Sequence, residues 1–595
     1  MTASDSADYS ADVTIIGGGA AGLRAAIEAA QHGLQVLLVT KGQAARSGAT
    51  AMASPSYQAA FAFEDKRDSI ETAFEDTCFE GRYLGDENLI LALTSEATER
   101  AMELHRWGLK FRTKENGKFL QVVHPGHSFE RNLVIVGDGY AMAARLLAQV
   151  RKHPNVRIAE DIVVSRILSG AGGVAGLVGL DMRRGRPVLI ATPTVVVATG
   201  GYQELWRWTD TEPGLTGEGV YLCYDAGADL VDLEMMLFYP TGLCWPPEAE
   251  GTLVQYEGLL TPKYCHAPML NGRGERFLPA SERLPVRDVM MKLMFREIES
   301  GRASPHGGVF VDLSQSTKPP EEVLRILHEL RSLPYDLLAD LGINILKEKI
   351  EVLPVTHYVL GGVRINEWGE TTVPGLFAAG EVSGNIHGAN RTSGNALAET
   401  QVFGRRAGLR AAEYAHATAR QKIDPQEVQA EVERIDAFRQ PRARPLRPIE
   451  LKRKIKTVMH DYVHYRRSAS SLTAAIEALR TMREEDVARL QVSGESTIYN
   501  YEWQEALEAV AMVDLGELVA TSALQRQESR GHHWRTDFPS MVPEWEKHTI
   551  VRTSGDHRYI TDVAPVVRLK DRSKDRRAAD PALVQAGTLD GYVGG

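Results

Sequence analysis

The chain has 595 residues, long enough for several domains with sizeable cores. Hydrophobic residues make up 43% and charged residues 25%, an ordinary balance that excludes a disordered or fibrous chain. The net charge of -10 argues against nucleic-acid binding, which needs a concentrated basic surface.

The N-terminus, Met1 to Asp8, is acidic and polar. It has neither the basic nor the apolar region of a secretory signal, so a cytoplasmic location is expected. Val13-Thr-Ile-Ile16 is a short β-branched run of the kind that makes a buried strand. Gly17-Gly-Gly19-Ala-Ala21-Gly22 follows at once, and the alanine-rich stretch from Leu23 to His32 reads as a helix that stops at Gly33. Val36-Leu-Leu-Val39 is a second strand. Together they form a βαβ unit with GxGxxG where a dinucleotide site needs it. Gly17 permits the tight turn, Gly19 lets backbone approach a pyrophosphate, and Gly22 lets helix pack on strand; the helix N-terminus supplies amides and positive dipole. The second strand ends in Thr40-Lys41, not in the acidic residue that holds a ribose in NAD sites.

Val195-Val-Val-Ala-Thr199-Gly200-Gly201 reads as another buried strand ending in glycines, and Leu376-Phe-Ala-Ala-Gly380-Glu381 as a third. Strands this far apart share one sheet if the segments between them are insertions. The expected fold class is α/β: a Rossmann-like cofactor-binding domain in two parts, 10–236 and 355–423, with an inserted α+β capping domain at 237–354. A helical domain follows at 424–530, with Pro441 and Pro445 marking a break near its start. The segment 531–595 reads as irregular. Within it, Lys570-Asp-Arg-Ser-Lys-Asp-Arg-Arg577 has the mixed charge of a solvated surface. No apolar run approaches the roughly 20 residues that span a bilayer, so direct membrane insertion is not expected. Cys78, Cys223, Cys244 and Cys265 form no CxxC pair, so no iron–sulfur cluster and no metal site is expected, and each cysteine reads as a small buried hydrophobe. If electrons leave one at a time, another protein must accept them.

The most informative segment is His387-Gly-Ala-Asn-Arg391-Thr-Ser-Gly-Asn395-Ala396-Leu397, close behind Gly380-Glu381. It sets an arginine and a histidine beside a small-residue turn, with a glutamate upstream that suits a ribose or ribityl hydroxyl. That combination fits a site where a flavin meets a carboxylate. The segment resembles the HGANR signature of the succinate dehydrogenase / fumarate reductase flavoprotein family, which includes L-aspartate oxidase. Thr199-Gly-Gly201, Thr216-Gly-Glu-Gly219, Ala226-Gly-Ala-Asp-Leu230 and Glu528-Ser-Arg-Gly-His532 resemble the same family, so the likeness runs from about Asp12 to about His548. It implies FAD, held by Gly17, Gly19, Ala21, Gly22, Thr40, Lys41, Ser47, Gly48, Thr199, Gly200 and Gly201. Glu381 would hold the ribose, and Asn395, Ala396 and Leu397 would line the flavin. Respiratory members of the family bond their flavin through a histidine after Arg-Ser. Here Arg46-Ser47 runs into Gly48-Ala49-Thr50, so non-covalent FAD is expected.

The same resemblance implies four substrate-site residues. His357 and Arg391 would hold one carboxylate, the guanidinium in bidentate fashion. Arg287 would move a proton to or from substrate carbon, with Glu257 as its acidic partner. Any one of these alone reads better as a salt bridge or a core hydrogen bond; four together, each inside a family motif, favour a site. Three positions depart from the family. Its QxHPTG is Leu237-Phe-Tyr239-Pro-Thr-Gly242, its threonine before Glu-Gly is Tyr256, and the relay's other arginine falls on Leu260, with Lys263 the substitute if the register slips. Tyr239 and Tyr256 occupy the positions that bind the far carboxylate. A tyrosine brings one hydrogen bond and bulk but no charge. The expected substrate is therefore a substituted succinate, a related unsaturated acid, or an acid with an uncharged far end.

Three readings remain open at this level. The first is the flavoprotein subunit of a succinate dehydrogenase / fumarate reductase-like enzyme, passing electrons to a separate iron–sulfur subunit and peripheral to the inner face of the membrane through its partners. The second is a soluble oxidase like L-aspartate oxidase. The third is a non-catalytic FAD electron-transfer or interaction module.

Overall fold

The computed structural model describes residues 7–124, 126–278, 284–330, 333–554 and 559–569. The mixed-charge run Lys570–Arg577 lies outside the described residues.

The distant strands do meet in one sheet. Its five parallel strands run in the order Leu376–Ala378, Val195–Val197, Val13–Ile16, Val36–Thr40, Val156–Glu160. The first four are buried along their whole length, which is why their sequences are apolar without alternation. The first helix spans Ala20–Gln31, starting three residues before the expected Leu23 because Gly19 already serves as its N-cap. It packs along the helix Asn395–Ala417 at a seam too close for side chains. A Cβ on Gly404 would lie 2.7 Å from the Ala21 carbonyl oxygen, and one on Gly408 2.6 Å from that of Ala25. That helix begins inside the HGANR segment, so the seam fixes the segment against the GxGxxG turn.

The chain leaves this layer on the strand Met236–Leu243 and returns on Ile350–Val359; the two pair antiparallel, Met236 opposite Val359 and Tyr239 opposite Val355. Between them lie the strands Met269–Leu270 and Val309–Val311 and the helices Arg287–Glu297 and Pro320–Leu330. This unit has a core of its own, including Met290, Met294, Leu327 and Val352. Four longer helices follow: Pro425–Ala437, Pro448–Tyr462, Ala469–Thr481 and Tyr501–Gln525. No helix among the described residues is long and apolar enough to cross a membrane.

The segment after Gly531 is less irregular than the sequence suggests. Lys547–Thr553 and Tyr559–Pro565 pair antiparallel, and the first also pairs with Leu230–Val231. The pattern is hidden because the outer strand is largely exposed and its residues do not alternate cleanly. Arg526, fully buried, anchors this region through ion pairs to Asp232 (3.1 Å), Glu234 (2.6 Å) and Glu528 (3.1 Å).

Candidate active site

The glycines of the first turn separate into two kinds. Gly17 sits at φ +117°, where a Cβ would lie 2.2 Å from the Ala198 carbonyl oxygen, and a Cβ on Gly22 would lie 1.9 Å from that of Gly17. Both are glycine because the fold leaves no room. Gly19 has an ordinary extended backbone, and a Cβ there would meet nothing nearer than Thr50 Oγ1 at 3.5 Å. The protein alone would admit a side chain at Gly19. Its open flank faces a cavity of about 580 Å³ at the N-terminus of a helix whose N-cap has no side chain, with Thr50 Oγ1 accepting from the Ala20 amide (3.1 Å). That geometry fits the pyrophosphate of a dinucleotide.

Of the residues expected to hold the cofactor, Gly17, Gly19, Ala21, Thr40, Lys41, Ser47, Gly48, Thr199, Gly200, Glu381, Ala396 and Leu397 line this cavity. Gly22, Gly201 and Asn395 are not in its wall. Asn395 is fully buried and donates through Nδ2 to Thr77 Oγ1 (3.3 Å). Lys41 reaches the cavity, but its ammonium is paired with Glu218 and with Glu508 (2.9 Å). Burial opposes that charge, yet the two carboxylates hold the Lys41 pKa above its usual value. Glu508 belongs to the helix Tyr501–Gln525, and Tyr501 and Gln504 of that helix also line the cavity. Glu381 Oε1 accepts from the Val359 amide (3.0 Å) and from Gln203 Nε2 (2.5 Å), and burial raises its pKa to about 8.

The cavity continues to Tyr239, Glu257, Arg287, His357 and Arg391, which the fold brings together from separate segments. His357 Nδ1 lies 2.8 Å from Asp210 Oδ2, which turns Nε2 toward Arg391 Nη2 (3.4 Å). The Arg391 guanidinium stands 4.4 Å over the Tyr358 ring, and its buried Nε has no hydrogen-bond partner. Burial first, then the charge of Arg287, lowers the Arg391 pKa to about 10, so it stays cationic at neutral pH. Arg287 lies 3.5 Å from Glu257 Oε1 and 5.2 Å over the Tyr239 ring. Burial works against its charge, but Glu257 and the two tyrosines raise its pKa above the usual value.

The Tyr239 hydroxyl donates to Glu257 Oε2, so it serves the acid as well as the cavity wall. Burial, then Glu257, pushes its pKa well up and keeps it a donor. Tyr256 is not in the wall. It is fully buried and backs Tyr239, with ring centroids 5.5 Å apart. Leu260 is buried and apolar, and Lys263 is exposed, so neither brings a charge to the cavity. His387 also stands apart from it: Nε2 lies 2.8 Å from Glu399 Oε2, which accepts from the Tyr358 hydroxyl as well (2.5 Å). The histidine of HGANR thus holds the ring under Arg391.

Sequence reasoning missed Asp210, Gln203 and His124. Asp210 and His124 line the cavity, and Gln203 holds Glu381. None belongs to a periodic pattern. For Asp210 and His124 the sequence signal is a lone acid or histidine in a loop, which is far more often surface, and Gln203 gives none.

Two family models match this chain. "FAD binding domain" covers residues 12–397 and "fumarate reductase flavoprotein C-term" covers 452–573. One polypeptide of the CoM/CoB fumarate reductase of Methanothermobacter marburgensis is 36% identical over 562 residues, covering 93% of this chain and 99% of its own length. The chloroplastic L-aspartate oxidase 2-a of Nicotiana tabacum is 30% identical, over 91% of this chain and 83% of its own length. Among solved structures, the apo form of the Mycobacterium smegmatis Sdh1 complex contains a chain that superposes with a TM-score of 0.86 at 31% identity, over 98% of both chains.

Proposed function

The chain belongs to the succinate dehydrogenase / fumarate reductase flavoprotein family and is an FAD-dependent oxidoreductase acting on CH–CH bonds; from that premise we propose that it interconverts a saturated and an α,β-unsaturated carboxylic acid, a substituted succinate on the saturated side. The observation that carries the proposal is the buried Arg391 guanidinium beside the His357 imidazole in the wall of the cavity, cationic yet in no ion pair among the described residues. A buried charge without a counter-charge is costly, and a substrate carboxylate would supply one.

The roles then follow from the geometry. Arg391 and His357 bind one carboxylate and polarise the neighbouring C–C bond, with Asp210 fixing the imidazole. Bound FAD supplies the hydride donor or acceptor. Arg287 gives a proton to the carbon next to the one that gains hydride, or takes it in the other direction, and Glu257 offsets its charge and restores its proton. Tyr239, backed by Tyr256, adds an uncharged wall between Arg287 and His357, its ring 5.1 Å from the imidazole. Its hydroxyl proton is committed to Glu257, so it offers the substrate bulk and no free donor, which suits a substituent or an uncharged group better than a second bare carboxylate. The flavin is held without a covalent bond, since glycine, alanine and threonine follow Arg46-Ser47. The four cysteines are buried at separate places. One-electron transfer therefore calls for a separate iron–sulfur protein, and hydrogen peroxide formation by the purified chain would instead favour the oxidase reading.

The test is anaerobic. The FAD is reduced and its reoxidation followed with fumarate, methylfumarate and crotonate. Methylfumarate should reoxidise it fastest, and Tyr239→His with Tyr256→Thr should shift the preference toward fumarate. Fumarate as the best acid for the unmodified protein would refute the substrate assignment, and no reoxidation by any of the three would refute the reaction.

A further inference from the structure

Each turnover moves one proton between bulk water and the Glu257–Arg287 pair, whose side chains are 16% and 11% exposed at the cavity wall, so an acid filling the cavity leaves the pair in need of a route to water. The helix Tyr256–Leu260 offers none on its own: Leu260, one turn beyond Glu257, is buried and apolar. The Tyr239 hydroxyl is bonded to Glu257 itself. His357 and Asp210, also in this wall, are paired with each other beside Arg391; His124 is a further titratable group of the same wall. It comes from a different layer, in a loop pinned to the cofactor side. There Ser128 bonds Asp76 through its amide (2.8 Å) and Oγ (2.7 Å), Arg131 pairs with Asp68 and Asp76 (2.7 Å each), and His127 Nε2 lies 2.8 Å from the Ser393 carbonyl oxygen. The loop therefore faces the inserted unit across the cavity. His124 is half-buried, and its neighbour Val123 is 52% exposed, so the loop reaches from solvent to the cavity within two residues.

We infer that His124 carries the proton between bulk water and Glu257. The inference rests on the reaction proposed above. In the reducing direction, the guanidinium of Arg287 gives its proton to substrate carbon and takes another from protonated Glu257. The Glu257 carboxylate takes its proton from the His124 imidazolium, and neutral His124 regains one from water. One proton enters per hydride transferred, and no further reactant is needed. The electrostatics suit a carrier. Burial lowers the His124 pKa, Glu257 raises it and Arg287 lowers it, so the imidazole exchanges a proton readily rather than holding a permanent charge.

The experiment compares the unmodified protein with His124→Ala and His124→Phe. Both variants are checked for flavin content and melting temperature before the reduced holoenzyme is mixed with methylfumarate, and with fumarate in parallel. The limiting rate of flavin reoxidation should fall by about ten- to a hundredfold, in the range of a lost proton-transfer group. The half-saturating acid concentration should hardly change, and added imidazole should restore the rate of His124→Ala but not of His124→Phe. The pH dependence of the limiting rate should lose the step belonging to this histidine. A raised half-saturating concentration with an unchanged rate would overturn the inference by making His124 a substrate anchor. Unchanged kinetics in both folded, flavin-loaded variants would overturn it outright. If the unmodified protein is itself not reoxidised by either acid, the reaction assignment fails, and this proposal with it.

Discussion

Arg391 shows how one residue can be both legible and incomplete. Its place in HGANR marks it as a carboxylate ligand by resemblance, but the sequence does not say what holds it. The structure adds Tyr358 beneath the guanidinium, His387 and Glu399 beneath Tyr358, and Asp210 behind the neighbouring His357. Asp210 could not be read in advance, because a single aspartate between threonines carries no pattern and meets His357 across 147 positions of chain. Losing a buried, charge-assisted contact costs about 2–5 kcal/mol. Arg391→Met should therefore raise the half-saturating concentration of the acid by at least about thirtyfold. Flavin content should hold, since the guanidinium serves the acid end of the cavity. Rapid-mixing titration checks both, and an unchanged half-saturating concentration would remove Arg391 from the site.

Among the elements, the βαβ unit was the most legible, because one short motif dictates turn, helix start and packing together. Its glycines make separate predictions. Gly22→Ala forces a methyl against the Gly17 carbonyl, and overpacking of this kind costs about 1–3 kcal/mol, so the apoprotein should melt earlier. Gly19→Ala adds a methyl to an open flank on an unstrained backbone. It should leave the apoprotein's melting temperature unchanged while weakening FAD binding, as read by flavin retained after dialysis. Equal flavin retention in Gly19→Ala and the unmodified protein would show that the cofactor does not approach Gly19. The C-terminal hairpin was not legible, because an exposed edge strand needs no apolar alternation; Tyr559–Pro565 buries little beyond Ala564.

At the scale of the whole molecule, the chemistry lies between two packed units that meet at the cavity. Their apolar runs mark the distant strands as buried, and the structure shows that they share one sheet. The sequence does not show what locks the inserted unit to the rest. That lock includes Arg82, which grips Asp288 through Nε (3.0 Å) and Nη2 (2.8 Å) in a buried pair. Asp288 adjoins Arg287 on the same helix, so the pair sets the Arg287 guanidinium relative to the cavity. Under the proposed function, this assembly places Arg287 opposite the carboxylate anchors, with the substrate between. The most direct measurement is the anaerobic reoxidation of reduced FAD by methylfumarate in the unmodified protein and in Arg287→Gln. Saturable reoxidation is expected for the unmodified protein, and in the variant a similar half-saturating concentration with a limiting rate at least about a hundredfold lower. A variant that reoxidises as fast as the unmodified protein would contradict the proton-transfer role of Arg287.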